Sequence, residues 1–318
     1  MDLPRAASRR PVSIDHPTFR ERTAYGWRVM RRAAGVMAAR LGDAPPLNGG
    51  RPAVPYNAMF DTRAVSALEP ERTTLERFDL YLFDVMTSPR LRGQIVFEYG
   101  TLLRAVDRWT GLRVLDVGTG RSTFPAWMSG EGATVTTFDL SKPAEKSWGG
   151  FEAHVNRFVG RRGGRRTSVA GSMRSLPFVD ASFDLVTSLS VVEHLDTDLP
   201  ERRFVPYEEQ QRRLGEVLDE MIRVVKPGGR IYLTSECCDY DRATSDNWRC
   251  AYYYEEGPAL SAAWPVSDVR RLFYQRMADR GCTLVGDLTF NRTDIADEHR
   301  WTNRGPFFSG FSLFARKR

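Results

Sequence analysis

Two acids and two glycines surround one sharp turn, and their types and spacing suit ligand chemistry best in this chain. Asp116, Gly118 and Gly120 close an apolar run, and Asp139 closes the next apolar run about twenty residues later. Glycine lets the chain turn tightly and lets its backbone approach a ligand. A glycine-rich turn after a strand, followed by an acid at the end of the next strand, is typical of nucleotide-like sites. The turn holds the linking part of the ligand, and the acid accepts from two ribose hydroxyls.

The kind of nucleotide follows from two departures from the dinucleotide fingerprint. That fingerprint requires a third glycine for helix–strand packing, and Thr123 stands at its position. Asp116 lies inside the turn, where its negative charge would repel a pyrophosphate but would attract a cationic ligand end. The pattern therefore favours a nucleoside with a positively charged end.

The run 116–122 resembles the first motif of the class I S-adenosylmethionine-dependent methyltransferases, E/D-x-G-x-G-x-G, with Ser122 in place of the third glycine. Three further blocks resemble later parts of that family in the same order. They are TSVAGS at 167–172, LPFVDASFDLVTSLSVVEHL at 176–195 and LDEMIRVVKPGGRIYLT at 218–234. The resemblance covers roughly residues 111–318 and implies S-adenosylmethionine as the cofactor.

Strand-like and helix-like patterns alternate from residue 113 onward, which predicts an α/β fold with a parallel sheet and helices on both faces. The predicted strands are 113–117, 133–139, 167–171, 183–189, 230–235, 283–290 and 308–316. The predicted helices are 122–129, 145–160, 207–225 and 267–280. No helix separates the last two strands, so the last strand is expected to be antiparallel. The resemblance implies a Rossmann-like sheet of seven strands that binds ligand at the strands' carboxyl ends.

Apolar residues recur at helical spacing before this region and predict helices over 19–41, 70–88 and 91–109. We therefore divide the chain into an N-terminal helical extension, 1–110, and a methyltransferase domain, 111–318. In the family that the chain resembles, such an extension commonly closes over the cofactor as a lid, which excludes water from the sulfonium. The alternative is that these apolar faces are ordinary core.

The resemblance implies a role for each residue around the turn. Gly118 and Gly120 should pass beneath the amino-acid half of the cofactor, and Asp116 should orient its ammonium group. Asp116 could alternatively only cap the turn. Asp139 should bind the ribose hydroxyls, since burying them without an acceptor is costly, and Leu140 should pack on the adenine.

Three more residues are expected to complete the cofactor site. Ser172 and Met173 occupy the place where family members often carry an acid for the adenine amino group, with the Met173 amide as the substitute contact. Ser188 should line the space near the methionine part. No metal is expected, because clustered carboxylates are absent from the position where metal-dependent O-methyltransferases have them.

Candidate catalytic and substrate residues follow the fourth and fifth predicted strands. His194 is a candidate proton acceptor because an imidazole titrates near neutral pH, although a structural histidine is the alternative. Asp239 could accept a proton if the acceptor is an amine. The insertion 236–266 combines acids with aromatic residues, which suits a polar, cationic, ring-shaped substrate. Candidate substrate contacts are Tyr240, Asp241 and Tyr252 in the insertion, with Glu208 on its rim. The alternative is a solvated loop with core aromatics.

Composition limits the possible partners and compartment. The 318 residues are 42% hydrophobic and carry a net charge of +6, and no apolar run is long enough to span a membrane. The basic N-terminus lacks the apolar segment of a secretory signal, so a cytoplasmic location is expected. The four cysteines show no zinc spacing, and free thiols in a reducing compartment are expected. Residues 1–50 carry a net charge of +5, yet no RNA-binding module is recognisable.

Three functions are compatible with these features. The favoured one is methyl transfer to a small-molecule natural product, with N-methylation of an amino sugar of the aminoglycoside kind, in antibiotic biosynthesis, ahead of O-methylation of another secondary metabolite. An RNA methyltransferase is disfavoured, because Ser-Leu-Ser-Val at 188–191 replaces the Asn-Pro-Pro-Tyr-type tetrapeptide of base-amine methylation. A non-catalytic binding protein would not need the intact turn. The acceptor atom and the oligomeric state stay open.

Overall fold

The structure is a computed structural model of the chain, which divides into two units, Met1–Pro45 and Pro46–Arg318. Everything described below lies in the second unit. The structure describes residues 56–60, 62–78, 93, 95–120, 122, 124–140, 165–198, 203–238, 249–254, 257–289 and 308–318. The predicted helices 19–41 and 145–160 lie outside these residues.

Fourteen strands occur in the described part of the chain. They are β1 Asn57–Met59, β2 Arg113–Val117, β3 Thr134–Asp139, β4 Arg165–Ala170, β5 Phe183–Leu189, β6 Thr197–Asp198, β7 Arg203–Phe204, β8 Val225–Cys238, β9 Arg249–Tyr254, β10 Gly257–Ala262, β11 Trp264–Pro265, β12 Cys282–Leu284, β13 Leu288–Thr289 and β14 Phe308–Lys317. The α-helices are α1 Thr62–Ala67, α2 Glu69–Phe78, α3 Thr101–Ala105, α4 Phe124–Gly130, α5 Tyr207–Val224, α6 Val266–Val269 and α7 Arg276–Asp279. Val96–Gly100 and Arg270–Gln275 are π-helical, and Val192–Asp196 is a 3₁₀ helix.

One mixed sheet organises these elements. Its strands follow the order β13-β1-β14-β8-β5-β2-β3-β4, with β11 beside β8 and β12 beside β14. The five neighbouring strands β4, β3, β2, β5 and β8 are parallel to one another, and β14 is antiparallel to β8. The α/β, Rossmann-like architecture and the antiparallel last strand are therefore confirmed.

The strand count differs from the expected seven, because this sheet contains ten strands. The predicted strand 283–290 is interrupted and forms the two short strands β12 and β13. The strands β1 and β11 were not predicted, because two or three residues are too few to show an alternating pattern. The insertion 236–266 contains β9 and β10, which pair as a separate antiparallel hairpin.

Helix α5 shows why the sequence pattern places helices well. Leu214, Leu218 and Met221 recur at helical spacing, and all are buried against the sheet. Glu209 in the first turn and Arg223 in the last turn complement the helix dipole. No helix in the described ranges combines the length and the apolar character needed to cross a membrane.

The hydrophobic core lies on both faces of the sheet, because successive side chains of a strand point to opposite faces. Along β2, Val114 shares a buried cluster with Leu102 of α3, whereas Leu115 shares the opposite cluster with Leu218 of α5. The central strands β2 and β5 are buried on both faces over most of their length, whereas the edge strand β4 is polar and partly exposed.

Residues on the N-terminal side of the predicted division at residue 110 contribute to this same core. Strand β1 pairs with β14, and Phe60 donates its backbone N–H to the carbonyl of Gly310 at 2.7 Å. Phe60 also packs edge-on against Phe97. The division at residue 110 and the lid stay predictions.

A buried ion pair joins two helices of this region and predicts a large stability effect. Arg104 donates to both carboxylate oxygens of Glu71, at 3.1 and 2.6 Å, and to the carbonyl of Ala67 at 2.6 Å. The exposed fractions of the Arg104 and Glu71 side chains are 8% and 0%. Arg104→Ala should lower the free energy of unfolding by about 3–5 kcal/mol, because a buried carboxylate loses its cation.

Denaturant titration measures this change. Arg212→Ala is the matched control, because Arg212 pairs with Glu209 on the surface with 52% of its side chain exposed. The control should cost about 1 kcal/mol or less. Equal losses in the two variants would show that burial does not strengthen the Arg104–Glu71 pair.

Candidate cofactor and active site

The parallel strands bring their carboxyl ends to one edge of the sheet, and the predicted turn begins there. Strand β2 lies between β3 and β5, and the turn follows Val117 directly. The N–H of Gly118 donates to the carbonyl of Phe138 at 2.7 Å, and that of Thr119 donates to the same carbonyl at 3.3 Å. These bonds draw the turn toward the end of β3, where Asp139 lies.

Gly118 is required by a contact within the protein. Its φ is +74°, a conformation that residues with a Cβ avoid. A Cβ at this position would overlap the side chain of Val191, standing only 2.6 Å from its Cγ2 and 2.9 Å from its Cβ. Gly120 also has a positive φ, +54°, but a Cβ there would meet nothing closer than 3.8 Å. Glycine is therefore required at position 118 by both the backbone conformation and the contact with Val191, whereas at position 120 only the backbone conformation favours it.

Ser122, which replaces the motif's third glycine, precedes the helix α4 and accepts a hydrogen bond from its first residue. The N–H of Phe124, the first residue of α4, donates to Ser122 Oγ at 3.2 Å. The hydroxyl of Tyr99 donates to the same oxygen at 3.1 Å. A serine oxygen at this position satisfies one of the free N–H groups of a helix start, so the departure from glycine has a structural purpose.

Asp116 is a buried carboxyl at the end of β2. Only 4% of the residue is exposed, and Thr187 Oγ1 donates to its Oδ1 at 2.6 Å. Burial raises the pKa of Asp116 from 3.8 to about 6, against the lowering effect of hydrogen bonds from Thr187 and Thr119, and the charge of Asp139 raises it further. A nearby cation would stabilise the ionised form, which fits the predicted ammonium contact.

The carboxylate of Asp139, at the end of β3, accepts hydrogen bonds from two backbone N–H groups at and near the turn. Its Oδ2 accepts from the N–H of Gly120 at 2.7 Å, and its Oδ1 accepts from the N–H of Leu140 at 2.7 Å. Each carboxylate oxygen has two lone pairs, so the anchored group keeps acceptor capacity for a pair of hydroxyls. Leu140 is 65% exposed beside it. The ribose and adenine contacts of these two residues stay predictions.

The other predicted cofactor residues lie at the ends of β4 and β5. Ser172 is exposed, and its Oγ accepts from the N–H of Arg174 at 3.3 Å. Met173 is half-buried and packs against the core. Ser188 is fully buried, and its Oγ makes no hydrogen bond with the residues that the structure describes. The adenine and methionine contacts of these residues stay predictions.

Buried glutamates from three elements also lie in this region. Glu98 of the π-helical segment, Glu193 of the 3₁₀ helix and Glu236 of β8 are 3%, 2% and 5% exposed. Burial, followed by the charge of Glu236, raises the pKa of Glu193 well above its ordinary value, and Glu98 adds to the effect. The Oε2 of Glu193 accepts from Ser235 Oγ at 2.8 Å.

Glu98 was not singled out from the sequence, although a signal was present. It lies three residues after Ile95 and one before Tyr99, and so falls on the apolar face of the predicted helix 91–109. A lone acid on an apolar face is uncommon unless it has a buried partner. No three residues of metal-ligating type come close enough together to hold an ion in the part of the chain that the structure describes.

The candidate catalytic and substrate residues are only partly described. His194 is exposed in the 3₁₀ helix that follows β5, and its backbone N–H donates to the carbonyl of Val191 at 2.9 Å. Glu208 is exposed in the first turn of α5. Tyr252 lies on β9, paired in register with Ala259. Asp239, Tyr240 and Asp241 lie outside the described residues.

Comparison with known proteins identifies the domain that holds this site. Residues 115–233 match the family described as "Methyltransferase domain". A ubiquinone biosynthesis O-methyltransferase from Dechloromonas aromatica (strain RCB) is 31% identical over 125 residues, which are 39% of this chain and 44% of that protein. A demethylmenaquinone methyltransferase from Clavibacter sepedonicus is 33% identical over 159 residues, 48% of this chain and 55% of that protein. The chain thus spans about half the length of these curated relatives.

Among solved structures, a SAM-dependent methyltransferase from Methanosarcina mazei is 17% identical, with a TM-score of 0.43, over 65% of this chain and 92% of that one. The matched residues 115–233 contain the turn, Asp116 and Asp139. The turn and its two acids therefore lie within a stretch that matches a methyltransferase domain. A methyltransferase domain is compatible with S-adenosylmethionine, the cofactor expected from the sequence.

The contact between Gly118 and Val191 predicts a specific stability loss. Gly118→Ala should lower the free energy of unfolding by about 3–5 kcal/mol, from overpacking together with a left-handed backbone. Gly120→Ala, which has the backbone cost alone, should lose about 1–2 kcal/mol. Denaturant titration measures both. Val191→Gly added to Gly118→Ala should recover part of the loss, and no recovery would refute the overlap.

The raised pKa of Asp116 predicts how cofactor affinity depends on pH. The ionised carboxylate binds the ammonium group, so affinity should be highest above pH 6 and should fall about tenfold between pH 7 and pH 5. Calorimetric titration with S-adenosylhomocysteine across this range measures the effect. Asp116→Asn should bind more weakly at pH 7 and show little change from pH 7 to pH 5. A parent chain whose affinity is equally flat would contradict the ammonium contact.

Proposed function

We propose that this chain transfers a methyl group from S-adenosylmethionine to a hydroxyl oxygen of a small-molecule secondary metabolite. One observation carries the proposal: a buried acid, a glycine turn and a second acid meet at the strand ends of a methyltransferase domain. The O-methyltransferase named among the relatives supports an oxygen acceptor. Oxygen therefore takes precedence over the amine that the sequence alone favoured.

The residues have distinct roles in this proposal. Bound S-adenosylmethionine supplies an electrophilic methyl group on a sulfonium. Asp116 holds the ammonium end of the cofactor, and Asp139 holds its ribose. His194 accepts the proton that leaves the acceptor hydroxyl as its oxygen gains the methyl group. Orienting the acceptor and excluding water supply most of the remaining rate enhancement.

An amine acceptor is the second candidate, because Glu98, Glu193 and Glu236 are three buried carboxyl groups that interact with one another. Buried carboxyls favour a cationic neighbour, which is the reason to retain N-methylation of an aminoglycoside in antibiotic biosynthesis. Asp239 would then accept the ammonium proton, with Tyr240 and Asp241 on the substrate rim.

Transfer of labelled methyl groups distinguishes these acceptors. The chain is incubated with methyl-labelled S-adenosylmethionine and three panels: phenols and quinols, aminoglycosides, and total RNA. Label on a phenol or quinol oxygen supports the proposal. Label on an aminoglycoside amine would replace it with the second candidate, and label on RNA alone would contradict both.

The role of His194 gives a separate kinetic prediction. His194→Ala should lower kcat about 10²- to 10⁴-fold, because the acceptor loses its general base, while the affinity for S-adenosylhomocysteine stays unchanged. Steady-state kinetics and calorimetry measure the two quantities. His194→Gln is the control for lost packing and should be equally slow. A variant with the parent kcat would leave His194 as a structural residue only.

A further inference from the structure

The segment that follows β5, residues 190–196, is held at its start by a residue with an unfavourable backbone. Ser190 has a φ of +50°. Its N–H donates to both the carbonyl and Oγ1 of Thr234, each at 3.1 Å. Its hydroxyl donates to Oε1 of Glu98. A left-handed conformation at a residue with a Cβ persists only where the surroundings enforce it, and these bonds from two other elements enforce it here.

A second buried carboxyl holds the middle of the same segment. Glu193 accepts from Ser235 Oγ at 2.8 Å and is 2% exposed. Ser235 lies on β8, one residue beyond the Thr234 that binds Ser190. The segment 190–196 is therefore fastened twice to the end of β8 and once to the helical region that contains Glu98.

Two residues of this segment, Val191 and His194, have roles in the proposed reaction. Val191 lies against Gly118 of the cofactor turn, so that a side chain at Gly118 has no room. His194 follows Glu193 directly and is exposed. The position of Val191 against the turn depends on the backbone of Ser190, and that of His194 depends on the fixed Glu193.

Packing alone does not account for these anchors. Burying a carboxyl costs free energy, and apolar side chains of similar volume would stabilise a fold as well or better. Unfavourable backbone conformations and buried acids concentrate where a structure must hold functional groups in place. Both occur together in this short segment, beside the cofactor turn.

We propose that Glu98 and Glu193 are positioning residues for the methyl transfer, Glu98 acting through Ser190 on Val191 and the cofactor turn, and Glu193 acting on His194. The inference rests on the proposed function. It also links the N-terminal helical region to cofactor affinity, because Glu98 lies in Val96–Gly100, outside the matched methyltransferase domain.

A double-mutant cycle on Ser190 and Glu98 tests the first half. Calorimetry should show that Ser190→Ala and Glu98→Ala each weaken S-adenosylhomocysteine binding about tenfold, since each removes a hydrogen bond to a charged group. The double variant should be no weaker than either single variant, because both remove the same link. Glu98→Gln keeps an acceptor oxygen and should stay within about threefold of the parent.

Kinetics on Glu193 test the second half. Glu193→Ala should lower kcat for the methylated acceptor about tenfold and change its pH profile, with little effect on S-adenosylhomocysteine binding. Glu193→Gln should restore most of kcat. Tyr274→Phe removes the buried bond from Tyr274 Oη to the carbonyl of Ser312 and serves as the control for general destabilisation. It should change neither quantity.

The outcomes separate the two proposals. A parent chain that does not bind S-adenosylhomocysteine would overturn the proposed function. A parent chain that binds it, with Ser190→Ala and Glu98→Ala binding equally well or with additive losses in the double variant, would overturn the role of Glu98 alone. Glu193→Ala with the parent kcat and pH profile would overturn the role of Glu193.

Discussion

The parallel register of β2 between β3 and β5 is the constraint on which the site depends. Parallel strands present their carboxyl ends at one edge, so Asp116, Asp139 and Ser190 become neighbours although long stretches of chain separate them. A shift of one residue in β2 would carry Asp116 to the opposite face and would break its bond with Thr187. The apolar contacts on both faces of the sheet hold this register, and so they determine the geometry of the site without touching a ligand.

Charge is distributed very unevenly over this fold. The described carboxyl groups with raised pKa values, Asp116 and Glu193, lie at or just beyond the carboxyl ends of the central strands β2 and β5. Each was buried at a cost that the surrounding hydrogen bonds only partly offset. A cationic cofactor end would relieve that cost at Asp116. At Glu193 the hydrogen bond from Ser235 Oγ offsets part of that cost, which is compatible with a positioning role.

Much of this architecture could be predicted from local patterns. The strands 113–117 and 183–189 and the helix 207–225 have strong periodicity, and the structure reproduces them within a residue. The glycine turn and its acids were recognisable because their spacing is local. The short strands β1 and β11, the overlap of Val191 with Gly118, and the bond from Ser190 to Glu98 join residues far apart in the chain, and no local pattern encodes them. Glu98 is the intermediate case, an acid on an apolar helical face whose partner only the structure reveals.

Calorimetric titration of S-adenosylhomocysteine into the chain and into Asp139→Ala tests the central claim most directly. The claim is that the carboxylate fixed by the N–H groups of Gly120 and Leu140 binds the cofactor's ribose. The account predicts micromolar binding by the parent chain and a loss of at least about tenfold in Asp139→Ala, since two hydroxyls lose a charged acceptor. Equal affinity in the two proteins would contradict the assignment of this edge as the cofactor site.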